Sequence, residues 1–378
     1  RLFLRLNVLP RVTEAFTHLL ENAIHLHVRV EREAKDLSSE NTNCWNYLDK
    51  CGQLLIIFSK SDRWIKERMV CNVCLTDLMV GITRMREYKL IHREKFHSLL
   101  VTLLTFIKNV SMEINTSSLF AQSDVFPTLI PILRRKQEAY DKDIESQIIQ
   151  CMYYLCRLSR KRQEKAAKAG LVPYLQRCVS EGALVQQFAL GILCDLAHTS
   201  TKVREILWGN QCFDFYLSII DPTNEKHHWR VTALKSISAW FSADCDRIQR
   251  SLVTPQALNK IVALFSDAQK AEFEIVVGEL LVMMHKSSVF IKALGSSEAF
   301  VTEVKLRLHY PNANIGKSLL TMLRLIYRNH PKSRELNRHY NLYQTVAKLA
   351  ENNQQIIVAE VAKHLLQDID ELGGKYGI

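Results

Sequence analysis

The chain has 378 residues, 47% of them apolar and 24% charged, which is enough apolar material for a large folded core. Only 12 glycines and 8 prolines occur, too few for a sheet-rich fold with many tight turns, so we expect an almost entirely helical chain. The 50 Lys and Arg against 39 Asp and Glu give a net charge of +11, which suits an acidic protein, a nucleic acid or an anionic membrane surface as partner. No apolar run approaches the roughly 18 residues that a transmembrane helix needs, so we expect no stable membrane insertion.

The first third of the chain has an irregular helical pattern. Helices are predicted at about 11–36, 44–58, 63–85 and 94–110, with a polar loop over 111–124. Asp62 is the predicted N-cap of the helix that begins at residue 63. We assign residues 1–120 to an N-terminal part that continues into the regular array after it.

From residue 143 onward, helices are predicted in pairs that are joined by short polar turns. The pairs are 143–159 with 161–179, 183–198 with 200–220, 225–242 with 244–266, 271–286 with 288–309, and 313–329 with 332–351. A last helix over 354–369 caps the array, because a terminal unit needs a polar outer face. The repeats are assigned to 121–370, and residues 371–378 to a tail.

The first helix of each pair ends on a similar apolar segment, here called the apolar echo. Its members are Leu155–Ser159, Leu193–Ala197, Ile237–Phe241, Leu281–His285 and Leu323–Tyr327. Recurrence at a period of about 40–47 residues is typical of armadillo and HEAT repeats. One such unit cannot bury its apolar face alone, so neighbouring units must stack. The sequence therefore predicts an all-α, armadillo/HEAT-like superhelical solenoid of stacked helix pairs.

The ten cysteines favour core packing over metal binding. Most lie on apolar helical faces, as Cys151, Cys156 and Cys194 do, where a free thiol packs as a small hydrophobe. The one C-x-x-C, from Cys71 to Cys74, has no second pair at zinc-binding distance. Many free thiols without a disulfide framework suit a reducing cytoplasm.

The sequence contains none of the common catalytic or nucleotide-binding motifs. It contains no P-loop, no G-x-S-x-G elbow and none of the glycine-rich, V-A-I-K or D-F-G motifs of a protein kinase. The chain is therefore predicted to be non-catalytic and to need no cofactor or metal.

The second helix of each pair begins with basic residues, which stacking would bring into one line, here called the basic ridge. Its members are Lys161, Arg162, Lys202, Arg204, Arg247 and Arg250, continued by Lys286, Lys292, Lys332 and Arg334. Positive charge at a helix N-terminus opposes the helix dipole by about 0.3–1 kcal/mol, so its recurrence indicates a role in binding. The alternative is a solvated face, neutralised by neighbours such as Glu164 and Asp244.

Trp229 and Trp240 are spaced by three helical turns and so share one face of a helix. Trp240 falls within the apolar echo and is predicted to be buried. Trp229, beside Arg230, is a candidate exposed anchor for a partner protein, with core packing as the alternative.

Three segments carry a resemblance to a known family. They are His228–Leu234 with the following Asp246–Ile248, Leu323–Pro331 with the following Arg334–Leu336, and Lys165–Pro173. Together they resemble the carboxy-terminal armadillo region of the septation-initiation and mitotic-exit protein kinases, which plant MAP kinase kinase kinase epsilon proteins share. The resemblance covers about residues 143–351.

This resemblance implies that the chain is a fragment, with a serine/threonine kinase domain upstream in the full protein. It also implies docking to a Ras-like small GTPase, favoured in its GTP form, and to a spindle-pole scaffold protein, at the spindle pole body in the cytoplasm. An acidic effector surface on the GTPase would suit the basic ridge.

Other classes of function stay open at this point. One is a general armadillo scaffold or adaptor that binds an extended peptide, although the sequence shows no ladder of groove asparagines. A homodimerising segment is another. A nucleic-acid or membrane-surface binder is less favoured, because no nucleic-acid-binding signature accompanies the positive charge.

Overall fold

A computed structural model describes residues 8–33, 38–70, 72–120, 123–134, 141–182, 184–224, 226–351 and 355–373. Across these ranges all regular structure is helical and no strand occurs. The all-α prediction is confirmed. Packing divides the chain into two compact units, Arg1–Ile206 and Leu207–Ile378.

The first unit pairs long helices with short ones. Its helices are α1 (Val8–Glu33), α2 (Ser38–Ser59), α3 (Arg63–Met69), α4 (Asn72–Glu87), α5 (Glu94–Ser111), α6 (Ile114–Leu119), α7 (Val125–Leu129), α8 (Asp141–Cys156), α9 (Arg160–Lys168), α10 (Val172–Ser180), α11 (Gln186–Ala197) and the start of α12 (Thr201–Gly209). Helices α2, α5, α8 and α11 pack side by side, each against the next. Fully buried aliphatic side chains such as Leu103 and Ile148 form their core, at about 1.5–3 kcal/mol each.

The second unit has two layers of helices. Its helices are α13 (Cys212–Ile220), α14 (Arg230–Ala243), α15 (Cys245–Leu252), α16 (Pro255–Asp267), α17 (Lys270–Lys286), α18 (Ser288–Gly295), α19 (Glu298–Leu306), α20 (Ala313–Asn329), α21 (Ser333–Tyr340), α22 (Leu342–Ala350) and α23 (Ile356–Gly373). Helices α14, α17, α20 and α23 form one layer, and α13, α16 and α19 form another. Buried aromatic pairs such as Phe265–Phe273, with ring centroids 5.2 Å apart, join the successive helices α16 and α17.

Each predicted second helix is in fact two helices, so a repeat has three. Local residues explain where the helix is interrupted. Gly170 adopts φ +89° ahead of α10, while Thr254 is the N-cap of α16 and Pro255 is its first residue. Gln211 and Asn341 interrupt the helix with left-handed backbone, at φ +56° ahead of α13 and φ +48° ahead of α22. A left-handed residue cannot continue a right-handed helix, so the apolar periodicity runs on while the helix stops.

The first third also differs from its predicted elements. The predicted helix 63–85 divides at Val70, whose φ of −104° and ψ of 95° are extended. The predicted loop 111–124 contains α6, and α2 begins at Ser38, in the gap left between the predicted helices 11–36 and 44–58. Asp62 precedes α3, but its side chain makes no capping hydrogen bond. Local polarity misled these predictions because helix ends are set by packing as well as by propensity.

Candidate protein-binding surfaces

Arg162, which was assigned to the basic ridge, is buried and caps α8. Its Nε donates to the carbonyl of Leu155, and its Nη2 donates to the carbonyl of Arg157 at 3.2 Å. The adjacent Gln163 donates from Nε2 to the Cys156 carbonyl at 3.2 Å. These bonds satisfy the carbonyls that the end of α8 leaves unpaired, where a positive side chain also suits the helix dipole. Arg162 is therefore occupied inside the unit, and its assignment as a partner-binding residue of the ridge is corrected.

Gln163 also ties its repeat to the next one. Its Oε1 accepts a hydrogen bond from Thr199 Oγ1 at 2.8 Å, just ahead of α12. In the second unit, Gln249 of α15 accepts from Ser287 Oγ at 2.8 Å, just ahead of α18. The two glutamines fix the rotation of α9 and α15, and so decide which of their residues face solvent.

Lys161 and Lys202, on the short helices of the first unit, are exposed, and Arg204 is half-buried. Glu164 was expected to neutralise such a face, but it pairs with Lys168 at 2.6 Å. The hydrogen bond from Lys168 lowers the pKa of Glu164, and the charge of Lys202 adds to that effect. In the part of the chain that the structure describes, Lys161 forms no ion pair.

Arg247 and Arg250, on α15 of the second unit, are exposed, and so are the later ridge members of that unit, Lys286, Lys292, Lys332 and Arg334. The guanidinium of Arg247 lies 5.3 Å from the ring centroid of Trp208, and its Nε lies 3.6 Å from Asp244 Oδ2. A cation–π contact of this kind is worth about 0.5–1 kcal/mol and holds the arginine in one orientation. Trp208 is 36% exposed. Trp208 was not among the predicted binding residues, although a tryptophan near the end of a short helix outside the apolar echo was an available signal.

Arg230 is buried at the start of α14 and links three helices of the second unit. Its Nε donates to the Ile220 carbonyl at 3.0 Å, at the end of α13. Its Nη1 and Nη2 donate to Asp267 Oδ2 at 3.4 and 3.3 Å, at the end of α16. The guanidinium is occupied inside the unit, so the prediction that it reaches a partner is corrected.

The two tryptophans of the sequence analysis lie in different surroundings. Trp240 is fully buried, as predicted, and its ring packs edge-on against Trp208 with centroids 6.0 Å apart. Trp229 is half-buried in a 3-10 turn, His227–Trp229, that leads into α14. The role of Trp229 as an anchor stays a prediction.

A groove that the sequence analysis did not anticipate lies in the first unit, where α5 and α8 end. Its volume is about 240 Å³, and its walls include Arg63, Met112, Ile114, Tyr154, Arg157 and Leu158. We call it the Leu158 groove. The apolar echo placed Leu158 among core positions, but its side chain is 74% exposed. The available signal was Ser159, which caps α9 through the backbone N–H of Arg162 and so ends α8 early.

Other kinds of site find little support in the described ranges. No group of three His, Cys, Asp or Glu side chains there is placed to hold a metal ion. Within the same ranges, no helix combines the length and apolarity needed to cross a bilayer. Cys71 of the C-x-x-C lies outside the described residues.

Comparison with known proteins gives clear relatives, although no protein-family model matches the chain. It is 27% identical over 330 residues to MAP3K epsilon protein kinase 2 of Arabidopsis thaliana, and 28% over 336 residues to cytokinesis protein sepH of Aspergillus terreus. It is 25% identical over 336 residues to cell division control protein 7 of Schizosaccharomyces pombe. The matches cover 85–88% of this chain but only 23–30% of those proteins. The chain is a relative of the carboxy-terminal, non-kinase region of these kinases.

The kinase resemblance is thereby confirmed, and the alignments reach beyond residues 143–351. The chain spans about a quarter of the length of these kinases, and it corresponds to their non-kinase region and not to a kinase domain.

Solved structures agree on the fold. A computationally designed armadillo repeat protein for modular peptide recognition superposes with a TM-score of 0.52 at 13% identity, over 66% of this chain and 99% of that one. An engineered protein from a structural genomics consortium reaches a TM-score of 0.60 at 12% identity, over 96% and 98%. The armadillo-like solenoid class is confirmed.

Proposed function

We propose that this septation-kinase region is a protein-binding module that docks a Ras-like small GTPase and a spindle-pole scaffold protein, and so localises and regulates its kinase. The names of the relatives place them in cytokinesis and cell division, which supports this pathway. The module would act in the cytoplasm at the spindle pole body, without a cofactor and without binding nucleic acid.

The observation that carries the proposal is the set of exposed ridge residues that remain after the correction. Lys161 and Lys202 face solvent in the first unit, and Arg247, Arg250, Lys286, Lys292, Lys332 and Arg334 do so in the second. The four of them that lie on α9, α12 and α15 are tested by charge reversal. Such charges raise the association rate with an acidic surface more than they raise affinity. The GTP form of the GTPase is favoured because its switch loops are ordered only when the γ-phosphate is present.

The test is calorimetric titration of the chain with a septation-pathway GTPase, loaded with a GTP analogue or with GDP, at physiological salt. We expect a micromolar or tighter complex with the GTP form alone. The fourfold variant Lys161→Glu, Lys202→Glu, Arg247→Glu, Arg250→Glu should bind at least about tenfold more weakly. Arg162 and Arg230 are left intact because they hold the fold.

The matched control reverses four exposed lysines outside the ridge: Lys50, Lys60, Lys235 and Lys363. Its net charge changes by the same amount, so it separates a local ridge effect from a general loss of positive charge. Equal loss in both variants would contradict the ridge as the docking surface.

A general armadillo adaptor that binds an extended peptide is the second candidate, favoured by the exposed Leu158 groove. A homodimer is the third, and light scattering separates it from the others. The positive charge of both copies would oppose such a dimer.

A further inference from the structure

Leu158 combines a strained backbone with an exposed apolar side chain. Its φ is +59°, in the left-handed region where a bulky residue is an outlier and glycine is the usual occupant. The equivalent positions of the apolar echo, Leu196, Trp240, Met284 and Ile326, are all buried. Leucine at this position therefore contributes strain without the burial that its counterparts gain.

The surrounding turn forces this conformation. Arg162 and Gln163 hold the carbonyls at the end of α8, the backbone N–H of Ser159 donates to the Cys156 carbonyl at 3.2 Å, and the Ser159 side chain caps α9. A residue that is strained in a well-fixed turn and exposed to solvent is better explained by an external contact than by the fold.

Leu158 is not an isolated exposed apolar side chain. Ile114 is 66% exposed and Met112 is 46% exposed, and both line the same groove from the start of α6 and the end of α5. Tyr154 forms part of the wall and packs edge-on against Tyr153, with centroids 5.4 Å apart. Apolar side chains that converge from three segments on one groove mark an interaction site.

The charged residues at the groove indicate which charge its binding partner should carry. Glu113 on its wall is paired with Lys66 at 3.4 Å, and Arg63 is paired with Glu67 at 2.8 Å. Arg157 is exposed, and among the described residues its guanidinium has no acidic partner. The next exposed residues along the chain, Arg160 and Lys161, likewise have none there. Arg157 therefore gives the wall of the groove a net positive charge, and Arg160 and Lys161 add positive charge in the following turn.

We propose that the Leu158 groove binds an acidic segment of a partner protein, in which an aliphatic side chain packs against Leu158, Ile114 and Met112 while carboxylates pair with Arg157 and its basic neighbours. This inference rests on the chain being a protein-binding module. A second copy of the chain is a poorer occupant, because it carries the same charge of +11. A nucleic acid would leave the aliphatic side chains without a matching contact.

The decisive variant is Leu158→Gly, because glycine relieves the left-handed strain while it removes the proposed anchor. Thermal unfolding should show an unchanged or higher Tm, by about 1–3 °C. Gln211→Gly is the matched control, since Gln211 is exposed, has φ +56° and lies outside the groove. Arg157→Glu tests the charge with the apolar contacts kept.

The probe is an array of synthetic peptides rich in Asp and Glu, in which one or two positions are Leu, Ile, Val or Ser. The wild-type chain should bind acidic peptides with an aliphatic residue in preference to those with serine. Leu158→Gly and Arg157→Glu should each weaken the best of them by about tenfold or more, while Gln211→Gly leaves it unchanged.

Three outcomes would overturn the inference: no preference for aliphatic peptides, full binding by Leu158→Gly, or a Tm that falls in Leu158→Gly because Leu158 serves the fold. A dimer that Leu158→Gly dissociates would make a second copy the occupant and also overturn it. Titration of the GTP-loaded GTPase into Leu158→Gly keeps the two proposals apart. Loss of peptide binding with GTPase binding intact separates the groove from the ridge, and GTPase binding without any peptide binding refutes the groove alone.

Discussion

Arg328 in α20 donates two hydrogen bonds to the carboxylate of Asp368 in α23, from Nε to Oδ2 at 2.8 Å and from Nη2 to Oδ1 at 2.6 Å. Arg324, one turn earlier in α20, donates from Nε to Oδ2 at 2.5 Å. Asp368 is buried, so its charge is tolerated only because these donors replace water. The three residues fasten α23 to the preceding long helix of the second unit.

This arrangement makes stability depend on pH. Burial by itself would raise the pKa of Asp368, but the hydrogen bonds from Arg328 and Arg324 hold it below its ordinary value. Because the folded-state pKa is lowered, the unfolded chain takes up the proton first. The stabilisation is therefore complete above about pH 4 and is lost as the pH falls through the folded-state pKa. Asp368→Asn should lower the free energy of unfolding by about 1–3 kcal/mol at neutral pH.

Urea unfolding of wild type and Asp368→Asn at pH 7 and at about pH 3 checks this. The difference between the two proteins should shrink at the lower pH. Glu360→Gln, an exposed carboxylate of the same helix, is the control and should show no such difference. A difference that is independent of pH would contradict the role assigned to the Asp368 charge.

Two adjacent basic residues, Lys161 and Arg162, should differ in how much their substitution changes stability. Arg162→Ala leaves the carbonyls of Leu155 and Arg157 without their donor and should cost about 1–3 kcal/mol. Arg162→Lys should restore only part of this, because an ammonium cannot reproduce the planar fork. Lys161→Ala should leave the thermal midpoint unchanged. Equal midpoints for Lys161→Ala and Arg162→Ala would refute the capping role.

Apolar periodicity was sufficient to predict the fold class. The echo places Leu155, Leu193, Ile237 and Leu323 on buried faces, and all four are buried in the structure. Periodicity could not predict where helices end, because Gly170, Gln211 and Asn341 interrupt the backbone without interrupting the apolar pattern. That is why pairs were predicted and triplets are found.

The candidate site was harder to predict because charge does not reveal exposure. Arg162 and Lys161 look alike in the sequence, yet the rotation of α9 turns one toward the end of α8 and the other toward solvent. Leu158 shows the converse, since its apolarity predicted burial and the turn exposes it. A side chain's direction at a helix end depends on backbone conformation, which residue type alone does not determine.

The buried cysteines should resist alkylation in the folded chain. Burial raises the pKa of Cys151, Cys156, Cys178 and Cys212 to about 12, so their thiols stay protonated at about pH 8. Among the cysteines whose side chains the structure describes, iodoacetamide should modify the half-buried Cys44, Cys51 and Cys245 in the folded chain, and the four buried thiols only after urea is added, as peptide mass spectrometry can measure. Rapid labelling of Cys151 or Cys156 without denaturant would contradict the packing described for α8.

Two glycines of the second unit should respond with opposite sign to the same substitution. Gly278 lies in α17 with open space around the position that a Cβ would occupy, so Gly278→Ala should stabilise the chain by about 0.5–1 kcal/mol through lower chain entropy. At Gly295 in α18 the new Cβ would lie 2.8 Å from Ile326 Cγ2, which is fully buried in α20. Gly295→Ala should therefore destabilise by about 1–3 kcal/mol.

Thermal unfolding of both variants measures the contrast, and a third variant identifies its cause. Ile326→Leu moves the side-chain branch away from Gly295, so Gly295→Ala should cost less in that background than in wild type. Additive effects of the two substitutions would show that the cost arises elsewhere in α18. A destabilised Gly278→Ala would contradict the open space that the structure shows around Gly278.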